Sequence, residues 1–285
     1  MDRINKQIQE ASHSGALLTL EHRCGRFVVT KRIYAGIERA ISSVEKQKLF
    51  RETTTSAYTL CSIPVLEDLK QDDYFEFTMP FIDGIGGDVI TYKGNKVVAD
   101  NLRVTLNSYL LDILSSGEEK AIPGKTFIDK VIDIKSKYQG DSHIVFDAIE
   151  KVIELSDYEL IFPMGSCHGD LTLSNVKVTP DNKLYLFDFL DGFLETPLQD
   201  IVKLKQDFDY GWSFRKENKN LALKGKMFCE IAYPNMIRTI SRLYKKEVEI
   251  LDLVNLLRIA PYINPKDNIT KLWLDKALSK SINSK

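Results

Sequence analysis

The spacing of apolar positions changes along the chain, and the change divides it. Up to about residue 80 the pattern suits strands. Residues 15–20 and 26–33 flank a turn at Arg23-Cys24-Gly25 and predict a hairpin, and the aromatic run 74–79 predicts a further strand. Between them, residues 41–51 carry helix formers with apolar Val44 and Leu49 and predict a helix. Pro80-Phe81-Ile82-Asp83-Gly84-Ile85-Gly86-Gly87 then supplies glycines suited to a hinge between two bodies. Beyond it the period lengthens. Leu102, Leu106, Tyr109, Leu110, Ile113 and Leu114 form one helical stripe and Val145, Ile149 and Val152 another, both expected in the core. A short β excursion interrupts the helices between about 175 and 189. Thr196 reads as an N-cap with Pro197 at the first helical position and Gln199 closing a capping box. Helical patterning continues to the end, with breaks near Pro234 and Pro261. The expected architecture is α+β: a small β-rich lobe over residues 1–80, a hinge over 81–88 and a larger, mainly helical lobe over 89–285.

Composition narrows the function classes. With 44% apolar and 28% charged residues the chain is neither disordered nor fibrous. Its formal net charge of −1 supplies no global field toward nucleic acid or anionic lipid. No basic stripe with interleaved aromatics suggests nucleic acid either. No run approaches the roughly 18 apolar residues of a membrane span, and Met1-Asp2-Arg3-Ile4-Asn5-Lys6 leads into no apolar signal region. Cys24, Cys61, Cys167 and Cys229 lie too far apart for a zinc knuckle and read as reduced thiols of a cytoplasmic protein. Oligomeric state leaves no mark in the sequence.

The chemistry concentrates in Cys167-His168-Gly169-Asp170-Leu171-Thr172-Leu173-Ser174-Asn175. Phosphoryl transfer to a hydroxyl needs the acceptor oriented and relieved of its proton, and the phosphate charge neutralised by metal. A loop carboxylate such as Asp170 can take the proton. An amide oxygen five residues on, Asn175, can bind magnesium, which prefers hard oxygen ligands. That spacing is shared with the protein-kinase catalytic loop. Asn175-Val176-Lys177-Val178 and Leu184-Tyr185-Leu186-Phe187 flank the turn signal Thr179-Pro180-Asp181-Asn182. A hairpin centred near Asp181 sets Asn175 nearly opposite Asp188, where cross-strand neighbours lie about 5 Å apart.

On these residues, His168-Gly169-Asp170-Leu171 through Asn175 and then Leu186-Phe187-Asp188-Phe189, the chain resembles the aminoglycoside phosphotransferase and choline kinase superfamily, relatives of the protein kinases. The resemblance implies a bilobal protein-kinase-like fold, ATP with Mg2+ as cofactors (GTP also open), Asp170 as base, and Asn175 and Asp188 as metal ligands. His168 would brace the loop, and Asp200 would tie a helix to it. Lys31, in strand context and placed like the kinase Val-Ala-Ile-Lys lysine, would reach the α/β-phosphates; strand alternation favours it over Arg32. Glu45 is the favoured helix partner for that lysine, with Glu52 the alternative. Ser12, Ser14 and Gly15 form a candidate phosphate-covering loop. Met79, Phe81 and Ile82 would lie beside the adenine.

The expected function is transfer of the ATP γ-phosphate to a hydroxyl of a small molecule. The texture around 187–191 and 197–204 resembles phosphotransferases encoded with surface-polysaccharide genes, which points to a sugar or sugar-containing precursor. A nucleotide-binding pseudokinase is one alternative, although no catalytic part is lost. A protein kinase is another, disfavoured by the lack of an Ala-Pro-Glu element and by only eight residues between Asp188 and Thr196. Lys205, Asp207, Asp209, Tyr210, Trp212 and Arg215 fall where such folds often shape the acceptor cleft.

Overall fold

The computed structural model describes residues 16–283. Strands β1 (Leu17–Arg23) and β2 (Arg26–Ile33) form the expected hairpin. The chain reverses through Cys24 and Gly25 at φ 50° and 78°, the paired positive values that match a two-residue turn to the strands' twist. Helix α1 (Ile37–Lys48) starts four residues before the expected span, directly after Gly36 at φ 70°. Short strands β3 (Thr53–Thr54), β4 (Thr59–Ser62) and β5 (Glu67–Lys70) lead to β6 (Phe75–Pro80) and β7 (Ile85–Gly86). An antiparallel sheet in the order β1-β2-β6-β5 packs on α1 through Val44, Phe75, Phe77 and Met79, joined by Ile63.

The remainder is mainly helical: α2 (Gly87–Lys93), α3 (Lys96–Ser115), α4 (Lys125–Lys137), α5 (His143–Leu155), α6 (Pro197–Phe208), α7 (Lys219–Ala232), α8 (Asn235–Leu243), α9 (Lys245–Leu257) and α10 (Asn268–Ile282). Both apolar stripes read from the sequence are buried here, Leu106, Leu110 and Val152 completely. Helix α6 runs through the centre of this lobe with Leu198, Ile201, Val202 and Leu204 fully enclosed, packed on α9. The protein thus has the α+β bilobal architecture.

Strand β8 (Glu118–Ile122) pairs with β9 (Leu160–Met164) in a small sheet that the sequence does not announce. Glu118-Glu119-Lys120 is exposed and has no strand-like alternation, so only the partner makes it a strand. Strands β10 (Val176–Val178) and β11 (Lys183–Leu186) form the expected hairpin about Asp181, with Val176 opposite Leu186. It is extended by β7 on one side and by β4, in parallel, on the other. Residues 59–62 are therefore hydrogen-bonded to the hairpin of the candidate site.

One local expectation is corrected. The Thr196 hydroxyl accepts from Leu198 N at 3.3 Å and donates to Pro163 O at 2.6 Å, but Gln199 closes no capping box, and its Nε2 has no partner. In the expected hinge, Gly84 and Gly87 allow close approach. A Cβ on Gly87 would stand 2.4 Å from Leu173 O, and one on Gly84 2.8 Å from Val178 O. They let the connection press against the loop and hairpin that hold Asp170 and Asn175.

Candidate active site

The loop 167–175 is held from α6. Asp200, wholly buried, accepts from His168 N (2.7 Å) and Gly169 N (2.8 Å) and also from the Tyr109 hydroxyl (2.7 Å). Two turns on, Asp207 accepts from Leu173 N at 2.6 Å and from Ser213 N at 2.8 Å. Burial lifts the Asp207 carboxyl above its usual range despite these amides. Between them, Lys203 reaches Asp170 Oδ1 at 2.9 Å. Positions 200, 203 and 207 share one helical face, so a single helix fixes the loop's start, its carboxylate and its end.

His168 is fully buried with its ring 4.2 Å from that of Phe189. Its Nδ1 accepts from Asp170 N at 3.2 Å, which assigns the proton to Nε2, 3.0 Å from Phe187 O. Burial lowers the imidazole's pKa, outweighing the attraction of Asp200 and Asp170, so the neutral ring is favoured. Gly169 sits at φ 85°, and a Cβ there would lie 2.2 Å from Leu190 O. Both features keep the loop tight against the segment that follows Asp188.

Asp170 is half-buried. Burial alone would raise its carboxyl, but the Lys203 ammonium, with His168 and the Asn175 amide, outweighs this and holds it below the ordinary value. Asn175 spends its Nδ2 on Asp170, 2.8 Å from the backbone carbonyl and 3.0 Å from Oδ2. Its Oδ1 is thereby the atom available to a cation. Asp188 follows β11 in the left-handed region (φ 57°), a conformation aspartate tolerates better than most residues. Lys31 Nζ meets Asp188 Oδ1 at 2.8 Å. Phe187 N donates to Asn175 O at 3.2 Å, which sets the Asn175–Asp170 pair beside the strand end that carries Asp188 and its Lys31 partner.

The donor set suits magnesium of a particular kind. Among the described residues no group of three His, Cys, Asp or Glu side chains could cage a metal. One carboxylate and one amide oxygen suffice only for a hard cation that keeps water and takes its other ligands from phosphates.

Other expected residues lie elsewhere. Glu45 is not brought to Lys31: its carboxylate accepts from Lys48 Nζ at 2.6 Å. The earlier start of α1 sets the phase, so Arg39, Ser43 and Lys46 face the site instead. Arg39 Nε donates to Asp191 O, Ser43 Oγ accepts from Asp191 N, and Lys46 Nζ reaches Glu195 at 2.6 Å and Leu190 O at 2.9 Å. The Met79 side chain is buried in the small lobe's core, its sulfur accepting from Gln47 Nε2. Lys177 donates to Ile82 O at 3.2 Å and lies 5.1 Å from the Phe81 ring centroid, while Phe81 N donates to Phe27 O. Ser12, Ser14 and Gly15 lie outside the described residues.

The expected acceptor-side group is built into the helical lobe. Lys205 pairs with Asp209 (3.5 Å) and Asp252 (3.7 Å), and the Tyr210 hydroxyl bonds Asp252. Trp212 packs edge-on against Trp273 with the Arg215 guanidinium over its ring.

No protein-family profile matches the chain, and no curated protein matches it in sequence. Solved structures do match. A ternary complex of a thermostable aminoglycoside phosphotransferase APH(4)-Ia mutant with AMP-PNP and hygromycin B aligns at TM-score 0.52 and 12% identity, covering 98% of this chain and 97% of that one. A candidate fructosamine-3-kinase from Haemophilus somnus 129PT aligns at TM-score 0.54 and 13% identity, over 95% and 89%. The choline kinase LicA from Streptococcus pneumoniae aligns at 0.50 and 12%, over 99% of each chain. The chain has the protein-kinase-like fold these small-molecule kinases share.

Proposed function

We propose that the protein is a kinase that transfers the γ-phosphate of ATP, with Mg2+, to a hydroxyl of a small-molecule acceptor such as a sugar or sugar-containing precursor. The observation that supports this most is the meeting of Asp170 and Asn175, in one loop, with Asp188 and Lys31 from two other stretches of chain. Asp170 orients the acceptor hydroxyl and takes its proton. With Lys203 on Oδ1 and Asn175 on Oδ2, its remaining lone pairs face the acceptor and its rotation is fixed. A depressed pKa suits this role, because a loose transition state asks for orientation more than for a strong base. Asn175 Oδ1 and Asp188 hold magnesium, whose charge offsets that of the transferring phosphate. Lys31 neutralises the α/β-phosphates, exchanging its contact with Asp188 for them. The Phe81 carbonyl and Ile82 N–H, with no hydrogen bond among the described residues, are the groups left to read an adenine edge.

The test is magnesium-dependent γ-phosphate transfer from ATP and GTP over a panel of sugars, amino-alcohols, aminoglycosides and a generic protein, wild type beside Asp170→Ala. Transfer to a small acceptor that vanishes in the variant is expected. Nucleotide binding with no transfer favours a regulatory module, labelling of the protein alone favours a protein kinase, and absence of nucleotide binding overturns the reading.

A further inference from the structure

The wall of the cleft beyond Asp170 carries information about the acceptor's charge. Two cations, Arg39 and Lys130, reach the loop 190–193, and a third, Arg258, stands within electrostatic range of both. Arg39 of α1 donates through Nε to the Asp191 carbonyl at 2.9 Å. Lys130 of α4 lies 5.7 Å from the Phe193 ring centroid. Arg258 caps the end of α9, which packs against α4. Its half-buried guanidinium has no hydrogen bond or ion pair among the described residues. Burial lowers the pKa of both Lys130 and Arg258, and the two repel each other and Arg39. Asp170 attracts Arg258, which places the arginine within electrostatic reach of the proposed base.

Four of the neighbouring carboxylates are committed elsewhere. Asp170 pairs with Lys203 and Asp188 with Lys31. Glu195 holds Lys46 at 2.6 Å and the Gly192 amide at 2.9 Å. Asp133 stands 4.0 Å from Lys130 but 2.7 Å from Lys137. Asp191 meets Arg39 through its backbone carbonyl rather than its carboxylate. A partly desolvated guanidinium without a partner is costly, and mutual repulsion adds to that cost. An oxyanion seated among the three would relieve both, with arginine able to bind it in bidentate fashion. An amino sugar or quaternary amine would instead meet like charge. Tyr262, 82% exposed and close to Arg258, offers a ring face at the rim.

We propose that the acceptor is an anionic polyol, its phosphate or carboxylate held by Arg258, Lys130 and Arg39 while its hydroxyl faces Asp170. This rests on the kinase reading for the role of Asp170, but its test does not require turnover. Glucose 6-phosphate, glucuronate, glucose and glucosamine are titrated calorimetrically into the full-length protein with Mg·AMP-PNP present, so that the phosphate site at Lys31 is filled. The two anions are expected to bind more tightly than glucose or glucosamine by about tenfold or more, and Arg258→Gln and Lys130→Gln each to remove most of that preference. Arg258→Lys, which keeps the charge, is expected to retain part of it. In transfer assays, Arg258→Gln raises KM for the anionic acceptor more than it lowers kcat. Equal or tighter binding of glucose or glucosamine overturns the proposal, as does an anion preference that survives Arg258→Gln combined with Lys130→Gln. Anion binding without any phosphate transfer would overturn the kinase reading and leave this one standing. Transfer to glucosamine in preference to the anions would do the reverse.

Discussion

Asp200→Asn is the sharpest test of how the loop is held. The carboxylate accepts three hydrogen bonds at 2.7–2.8 Å in a site closed to water. Asparagine has the same shape but one acceptor oxygen. In its least costly orientation the oxygen keeps His168 N and Tyr109, and the new NH2 is turned on Gly169 N–H. The orphaned amide costs about 1–3 kcal/mol, and the two remaining bonds lose their charge assistance at about 0.5–1 kcal/mol each. Relief from burying the carboxylate's charge offsets part of this. The expected loss is about 2–4 kcal/mol, a large share of a domain's roughly 5–15 kcal/mol. Urea unfolding at pH 7 measures it, and amide exchange at Gly169 should quicken in the same variant. Tyr109→Phe, which leaves both backbone donors satisfied, should cost only about 1 kcal/mol. The two changes should be non-additive by at least about 0.5 kcal/mol, because they act on one carboxylate. An Asp200→Asn protein within about 0.5 kcal/mol of wild type would refute the reasoning, since every term above comes from those three bonds.

Three further outcomes follow from the same geometry. Lys203→Met removes the ammonium that holds the Asp170 carboxyl low, so the acid limb of the kcat/KM profile should move to higher pH; an unmoved limb would show that the ion pair does not tune the base. His168 is lowered by burial from an unfolded value near 6.5, so below about pH 6.5 the unfolded chain takes a proton the folded one refuses, and stability falls with pH at up to about 1.4 kcal/mol per unit. That component should be missing from the slope of unfolding free energy against pH in His168→Gln. Gly87→Ala drives a methyl to 2.4 Å from Leu173 O and should cost about 1–3 kcal/mol by thermal unfolding, because backbone must move to admit it; a shift under 0.5 kcal/mol would mean that the contact yields freely.

The legible part of the site is the part whose geometry is local. Asp170, Asn175 and Asp188 fall within 19 consecutive residues folded by one turn, so a spacing and a turn signal carried them together. The parallel pairing of β4 with β11 joins residues about 120 apart and leaves no trace in either strand's own pattern. Glu45 failed for a reason of phase. A helix begun at Ile37 turns positions 39, 43 and 46 toward the site and position 45 away, and Gly36 marks the start that composition alone had blurred.

Lys203 went unread and Asp207 was expected at the acceptor cleft rather than on the loop for the opposite reason, since the signal was present. Once Asp200 is given to the loop, helical geometry commits positions 203 and 207 to the same face. Charged residues on a buried face must find partners. The polar structure that lies against all three positions is the loop Asp200 already holds, with its amides at 169 and 173 and its carboxylate at 170. The same rule applied to Arg258, a half-buried charge within electrostatic reach of that carboxylate, finds no partner among the described residues. Under the anionic-acceptor proposal, the phosphate or carboxylate of the acceptor is that partner.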